Sequence, residues 1–144
     1  DLSQSKARWK VVFLHRPIYE AVRSWNTSYL EPYVPIWEQY GVDLVISGHD
    51  HVYMRTYPMH EGEAAENQPL NLSAGIVYIT AGRAGSKGAP SGIYQPEQAA
   101  RYQRLNGPNY VNLTFSHGEV RILARYTTWG VIDDVVLKKG AVGK

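Results

Sequence analysis

Val42-Asp43-Leu44-Val45-Ile46-Ser47-Gly48-His49-Asp50-His51 starts as an apolar, β-branched run and ends in a glycine followed by two histidines. A nearly continuous apolar run of this length reads as a strand covered on both faces, as in a parallel sheet. Further back, Trp9-Lys10-Val11-Val12-Phe13-Leu14 is a second such run. His15-Arg16-Pro17 ends it, because proline has no amide donor and restricts the residue before it. Between the two runs, Leu30, Val34, Trp37 and Tyr40 recur at the spacing of one helix face, which predicts a helix over 29–40 with Pro35 in its first turn and Gly41 at its stop. Strand, helix and strand make a βαβ unit that brings His15 to the same C-terminal sheet edge as His49 and His51. Such edges are where α/β proteins place their ligands.

Gly75 to Thr80 is a third predicted strand, and it runs into the glycine-rich segment Gly82 to Gly88. The backbone N–H groups of that segment, with Lys87 nearby, offer one reading as an anion site, but the segment matches no nucleotide-binding fingerprint and a flexible connection is expected. Residues 57–73 read as a polar excursion, and the stretch from Gly88 to Pro108 as irregular. The chain then alternates strand and turn: Tyr110 to Ser116, Glu119 to Tyr126 and Val131 to Lys138. Val111, Leu113 and Phe115 share one face, so a half-buried antiparallel meander is expected. The fold class is therefore α/β (α+β), a parallel βαβ unit followed by a meander over residues 1–138, with 139–144 as a tail.

Composition excludes several classes of partner. The 144 residues amount to about one domain. Fifteen basic and 13 acidic residues are scattered along the chain, and a net charge of +2 does not make a nucleic-acid surface. No apolar stretch reaches the roughly 20 residues that span a bilayer. The chain has no cysteine, hence no disulfide and no thiolate ligand, which leaves its redox compartment open. Its first residues carry neither a start methionine nor a signal segment, so a piece of a longer protein is expected.

The histidines carry the chemistry. In an extended segment His49 and His51 project to one side and Asp50 points away. Clustered imidazoles suit zinc, iron or manganese. Three could hold one zinc with a position left open, or could belong to a two-metal centre, which also needs a bridging carboxylate. Neither Asp43, Asp50, Asp133 nor Asp134 is placed to bridge. His60 and His117 fall in expected loops or turns and read as solvated.

The stretch from Trp9 to Tyr19, with Gly48-His49-Asp50-His51-Val52-Tyr53-Met54-Arg55, resembles the last two metal motifs of the purple acid phosphatase group of calcineurin-like metallophosphoesterases. Gly75 to Gly85 and Tyr110 to Lys138 resemble the same group's C-terminal region. The resemblance implies the C-terminal half of a four-layer αββα sandwich. It implies two metal ions in the complete enzyme, iron paired with zinc, manganese or iron. His15 and His49 would then be ligands of the second, divalent ion, and His51 a ligand of the first. Tyr53 and Arg55 would orient the histidine loop. Arg16 is a candidate contact for substrate phosphate, although an arginine beside a strand end is more often a surface ion-pair partner. No catalytic acid or base is assigned.

The motifs that supply the family's aspartates, tyrosine and asparagine-histidine pair have no counterpart here and are expected upstream of Asp1. A histidine pair of the plant enzymes falls where Ser24 and Trp25 stand. The function implied is acid phosphatase-type hydrolysis of phosphate esters by the complete protein, in a secreted or extracellular setting. The isolated chain is expected to be inactive, with the absent N-terminal half or a second copy as its partner. The competing readings are a self-contained mononuclear zinc hydrolase and a non-catalytic binding or assembly module.

Overall fold

The computed structural model describes residues 1–22, 27–88 and 90–140. Among the described residues ten strands follow in chain order: β1 Val11–Phe13, β2 Leu44–Ser47, β3 Val52–Thr56, β4 Met59–His60, β5 Glu63–Ala64, β6 Val77–Ala81, β7 Ala99–Arg104, β8 Asn109–Phe115, β9 Glu119–Tyr126 and β10 Val131–Lys138. The α-helix α1 at Val34–Gln39 precedes β2, and 3₁₀ turns lie at Leu2–Gln4, Ser28–Tyr33 and Leu72–Ala74.

The larger sheet has the order β1-β2-β6-β3-β7. Its first three strands are parallel, with Val12 beside Val45 and Val45 beside Tyr78. β3 then runs antiparallel to both β6 and β7. The second sheet, β10-β9-β8, is the antiparallel meander expected from the sequence.

Alternation along the strands sorts the core into layers. Leu44 and Ile46 of β2, Val77 and Ile79 of β6 and Tyr53 of β3 pack against Val120, Ile122, Ala124 and Leu137 of the meander. Val45 and Tyr78, from the opposite face, pack against Trp37 of α1 together with Val42, Met59 and Ile76. All four residues of β2 are therefore buried. Burial of each such aliphatic side chain stabilises the fold by roughly 1.5–3 kcal/mol. The result is a helix layer and two facing sheets.

Several expectations change. The helix predicted over 29–40 is split into the 3₁₀ turn and α1. Proline at 32 and 35 cannot donate to a preceding carbonyl, so a regular α-helix forms only where Pro35 lies in the first turn. The polar stretch 57–73 contains the short β4–β5 hairpin, which places His60 in a strand. β7 lies inside the stretch expected to be irregular, and the 3₁₀ turn at Leu72–Ala74 lies inside the polar one. Lys139 and Gly140, assigned from sequence to the tail, are bonded to the body. The Lys139 amine meets the Asp43 carboxylate at 2.6 Å, and the Gly140 amide donates to Ser73 Oγ at 3.1 Å. Residues 141–144, Ser24 and Trp25 lie outside the described residues.

Candidate metal centre

Parallel pairing of β1 with β2 continues beyond both strands into the histidine-bearing turns. Leu14 N–H donates to the Ile46 carbonyl at 3.0 Å, and Gly48 N–H donates to the His15 carbonyl at 3.1 Å. These bonds hold the two chain segments side by side at the sheet edge. His15 Nε2 consequently lies 3.0 Å from His49 Nδ1, with the rings edge to face.

The segment carrying His49 and His51 is not extended, as the alternation argument assumed. His49 has φ 67° and His51 has φ 53°. Left-handed backbone is uncommon for residues other than glycine and costs on the order of 1–3 kcal/mol per residue, and such conformations gather at functional sites. Asp50, between them, points inward. Its side chain is fully buried, and Oδ2 accepts the Ala21 N–H at 2.6 Å. Burial pushes the Asp50 carboxyl up to about 6 against the opposing pull of the Ala21 amide, and Glu20 adds to the rise.

His51 Nδ1 lies 2.8 Å from the carbonyl oxygen of Gly88. A carbonyl only accepts, so this bond puts the proton on Nδ1 and leaves the Nε2 lone pair available, the usual arrangement of a metal-ligating histidine. His15, His49 and His51 line one cavity of about 540 Å³ together with Arg83, Lys87 and Gly88. Desolvation lowers the His49 pKa, and the positive charges of Arg16, His15, His51 and Lys87 lower it further. Among the described residues, Arg16 has no carboxylate within ion-pair distance.

Residues 82–88 form a braced loop rather than a loose connection. The Arg83 guanidinium donates to the carbonyls of Ser86 at 2.8 Å, Gly85 at 3.2 Å and Leu105 at 3.4 Å. Asn109 Oδ1 accepts the Arg83 amide at 2.8 Å, while its Nδ2 donates to the Ala81 carbonyl at 2.7 Å. Sequence reasoning missed this because the bracing groups, Leu105 and Asn109, lie some twenty or more residues downstream.

The carboxylates are committed elsewhere. Asp43 Oδ2 accepts the Lys10 amide at 3.0 Å and also meets Lys139. Asp133 Oδ2 accepts from Tyr53 Oη at 2.8 Å and Arg55 Nε at 2.7 Å. The bonds of Tyr53 and Arg55 thus run to β10, so any orienting effect on the histidine loop passes through β3, which begins one residue after His51. A register shift between Val131 and Asp133 aims this aspartate inward.

As a test of fit, two imidazole nitrogens each about 2.0–2.1 Å from one ion would stand about 2.9–3.4 Å apart, and the 3.0 Å between His15 and His49 falls in that range. Among the described residues, no group of three or more histidine, aspartate or glutamate side chains gathers closely enough to hold a metal ion. The donors therefore fit part of a metal centre: a close pair, and a third imidazole in the lining of the same cavity.

The calcineurin-like phosphoesterase family model matches residues 1–53. A purple acid phosphatase of Glycine max is 31% identical over 110 residues, covering 67% of this chain and 22% of that protein. Arabidopsis thaliana "Probable inactive purple acid phosphatase 27" is 25% identical over 138 residues, 88% of this chain and 22% of that protein. The structure of a purple acid phosphatase from yellow lupin seeds superposes with a TM-score of 0.76 at 19% identity, over 97% of this chain and 27% of that one. This chain thus spans about a fifth of each of the two curated relatives. With these matches, and a fold that superposes on that of the lupin enzyme, the chain belongs to the calcineurin-like metallophosphoesterases, in their purple acid phosphatase-like group.

Proposed function

We propose that the whole protein hydrolyses phosphate esters in the manner of an acid phosphatase, and that residues 1–138 supply the histidine side of its dinuclear metal centre. The observation that carries this reading is the 3.0 Å approach of His15 Nε2 to His49 Nδ1 at the ends of two parallel strands. His15 and His49 would hold one ion, and His51, bonded to Gly88 in the lining of the same cavity, would hold the other. Two ions are favoured over a single three-histidine zinc because, among the described residues, no three ligand side chains gather closely enough to hold one ion. A pair of ions held there, iron with zinc, manganese or iron, would supply Lewis acidity toward phosphoryl oxygens and would activate the attacking water.

The chain's own residues orient that chemistry. Gly88 fixes the tautomer of His51, Asp50 anchors the turn, and Tyr53 and Arg55 hold β3 beneath it. Arg16 contacts substrate phosphate. The remaining ligands, bridging carboxylate included, come from the rest of the protein, and a secreted or extracellular setting is carried over from the resemblance.

Titration of this chain with Co²⁺ tests the proposal. The expected result is a visible absorption band that His15→Ala or His49→Ala abolishes, with p-nitrophenyl phosphate left unhydrolysed. Hydrolysis by this chain that His49→Ala removes would show that the site is complete within these residues. Tight one-to-one zinc binding that depends on all three histidines would instead support the mononuclear zinc site.

One observation favours a second reading, an association module. Phe13 on the edge strand β1 is 74% exposed, and with Ile46, Val111, Leu113 and Phe115 it lines an apolar groove of about 520 Å³. The name of the Arabidopsis relative is compatible with a non-catalytic role.

A further inference from the structure

We propose that Lys87, presented by the loop that Arg83 braces, is a phosphoryl-binding residue of the histidine cavity, giving that cavity an anion subsite independent of its metal ligands. The inference rests on reading the cavity as a phosphoryl site and adds a residue that the family motifs do not supply.

Three observations converge on it. The first is charge. Lys87 and Arg83 line the cavity beside the three histidines, and among the described residues its lining contains no aspartate or glutamate.

The second is how Arg83 is used. Its three side-chain hydrogen bonds go to carbonyl oxygens, and among the described residues no carboxylate lies within ion-pair distance of it. Carbonyl dipoles satisfy the donors of a guanidinium without cancelling its charge. The loop is therefore stapled by a cation whose charge is still expressed at the cavity, which favours an anionic occupant.

The third is preorganisation. The Gly88 carbonyl, one residue from Lys87, is fixed to His51 Nδ1, and the other end of the loop is fixed by Asn109 through both its side-chain oxygen and nitrogen. Lys87 thus sits between two anchored points, and less ordering is needed when an anion binds. A lysine amine is a compact point charge with three donors, suited to the equatorial oxygens of a phosphoryl group.

Inorganic phosphate is the probe, titrated into the full chain at low ionic strength with and without Zn²⁺ and followed by ³¹P and histidine ring NMR. Lys87→Gln should weaken phosphate binding by at least about fivefold, the scale of one partly solvated charge-assisted contact. The Co²⁺ absorption band and the melting temperature should not change. Arg83→Lys keeps the charge but loses the fork that braces the loop, and should also weaken phosphate binding. A Lys87→Gln protein that holds phosphate within twofold of the unsubstituted chain overturns the proposal, as does an unsubstituted chain whose histidine resonances do not respond to phosphate. If Co²⁺ fails to bind while phosphate binding still depends on Lys87, the anion subsite stands and the dinuclear reading of the histidines falls.

Discussion

The Asp50 carboxylate accepts the backbone amide of Ala21 across 2.6 Å, and this bond fastens the turn between His49 and His51 to the segment that follows His15. A buried charged acceptor on a backbone N–H is among the stronger hydrogen bonds of a fold, and losing it leaves the amide without a partner. Asp50→Ala should therefore cost about 1–3 kcal/mol of stability and weaken Co²⁺ binding at the histidines. Asp50→Asn, which keeps an oxygen where Oδ2 stands, should recover most of the metal affinity. Urea unfolding and Co²⁺ titration of both variants check this. Equal loss in the two would show that charge, rather than the bond to Ala21, is what matters.

Asp133 is the shared acceptor for Tyr53 and Arg55, with the side chains of the ion pair 9% and 7% exposed. Asp133→Ala strands a buried guanidinium and a buried phenol, so a loss of about 3–5 kcal/mol is expected in chemical denaturation. Arg55→Met, which removes the charge while filling the space, should cost less. A loss below 1 kcal/mol for Asp133→Ala would mean that water reaches Arg55 and replaces the carboxylate.

Gly82 adopts φ 90°, and a Cβ there would overlap the side chains of Asn109 and Leu105. Gly82→Ala should therefore destabilise the protein by about 1–3 kcal/mol and loosen the Arg83-braced loop, weakening phosphate binding along with stability. Amide hydrogen exchange across 82–88 should rise in this variant. Exchange that stays at the unsubstituted rate would place the loop's rigidity elsewhere.

Exposure of Phe13 beside Val111, Leu113 and Phe115 predicts concentration-dependent self-association of the isolated chain. Phe13→Lys puts a charge on the edge strand and should shift the population toward monomer in sedimentation velocity. A chain that stays monomeric at high concentration without the substitution would rule out association through this groove.

Much of the large sheet and meander was legible in the sequence because the signals are local. β2 and β6 are apolar on both faces and read as runs, and β9 alternates between buried Val120, Ile122, Ala124 and Tyr126 and solvent. β3 was not legible as a strand. Its Arg55 interrupts the apolar pattern, and only Asp133, 78 positions away, explains why an arginine is buried there. β7 is an edge strand whose Arg101, Gln103 and Arg104 read as loop. The nearness of His15 to His49 followed from strand order, whereas the left-handed backbone of His49 and His51 did not. Alternation rules assume extended chain, and the tight turn after Gly48 breaks that assumption.

The bond from Tyr53 to Asp133 spans 80 positions, so the strand that continues from His51 has its polar anchor near the far end of the chain. Contacts of such separation form late, since a large loop must close before they are rewarded. During synthesis the histidine turn leaves the ribosome well before the residue that locks the strand beneath it. An interrupted chain that ends before β10 would therefore keep the pairing of β3 with β6 and β7 but would leave Tyr53 and Arg55 without Asp133.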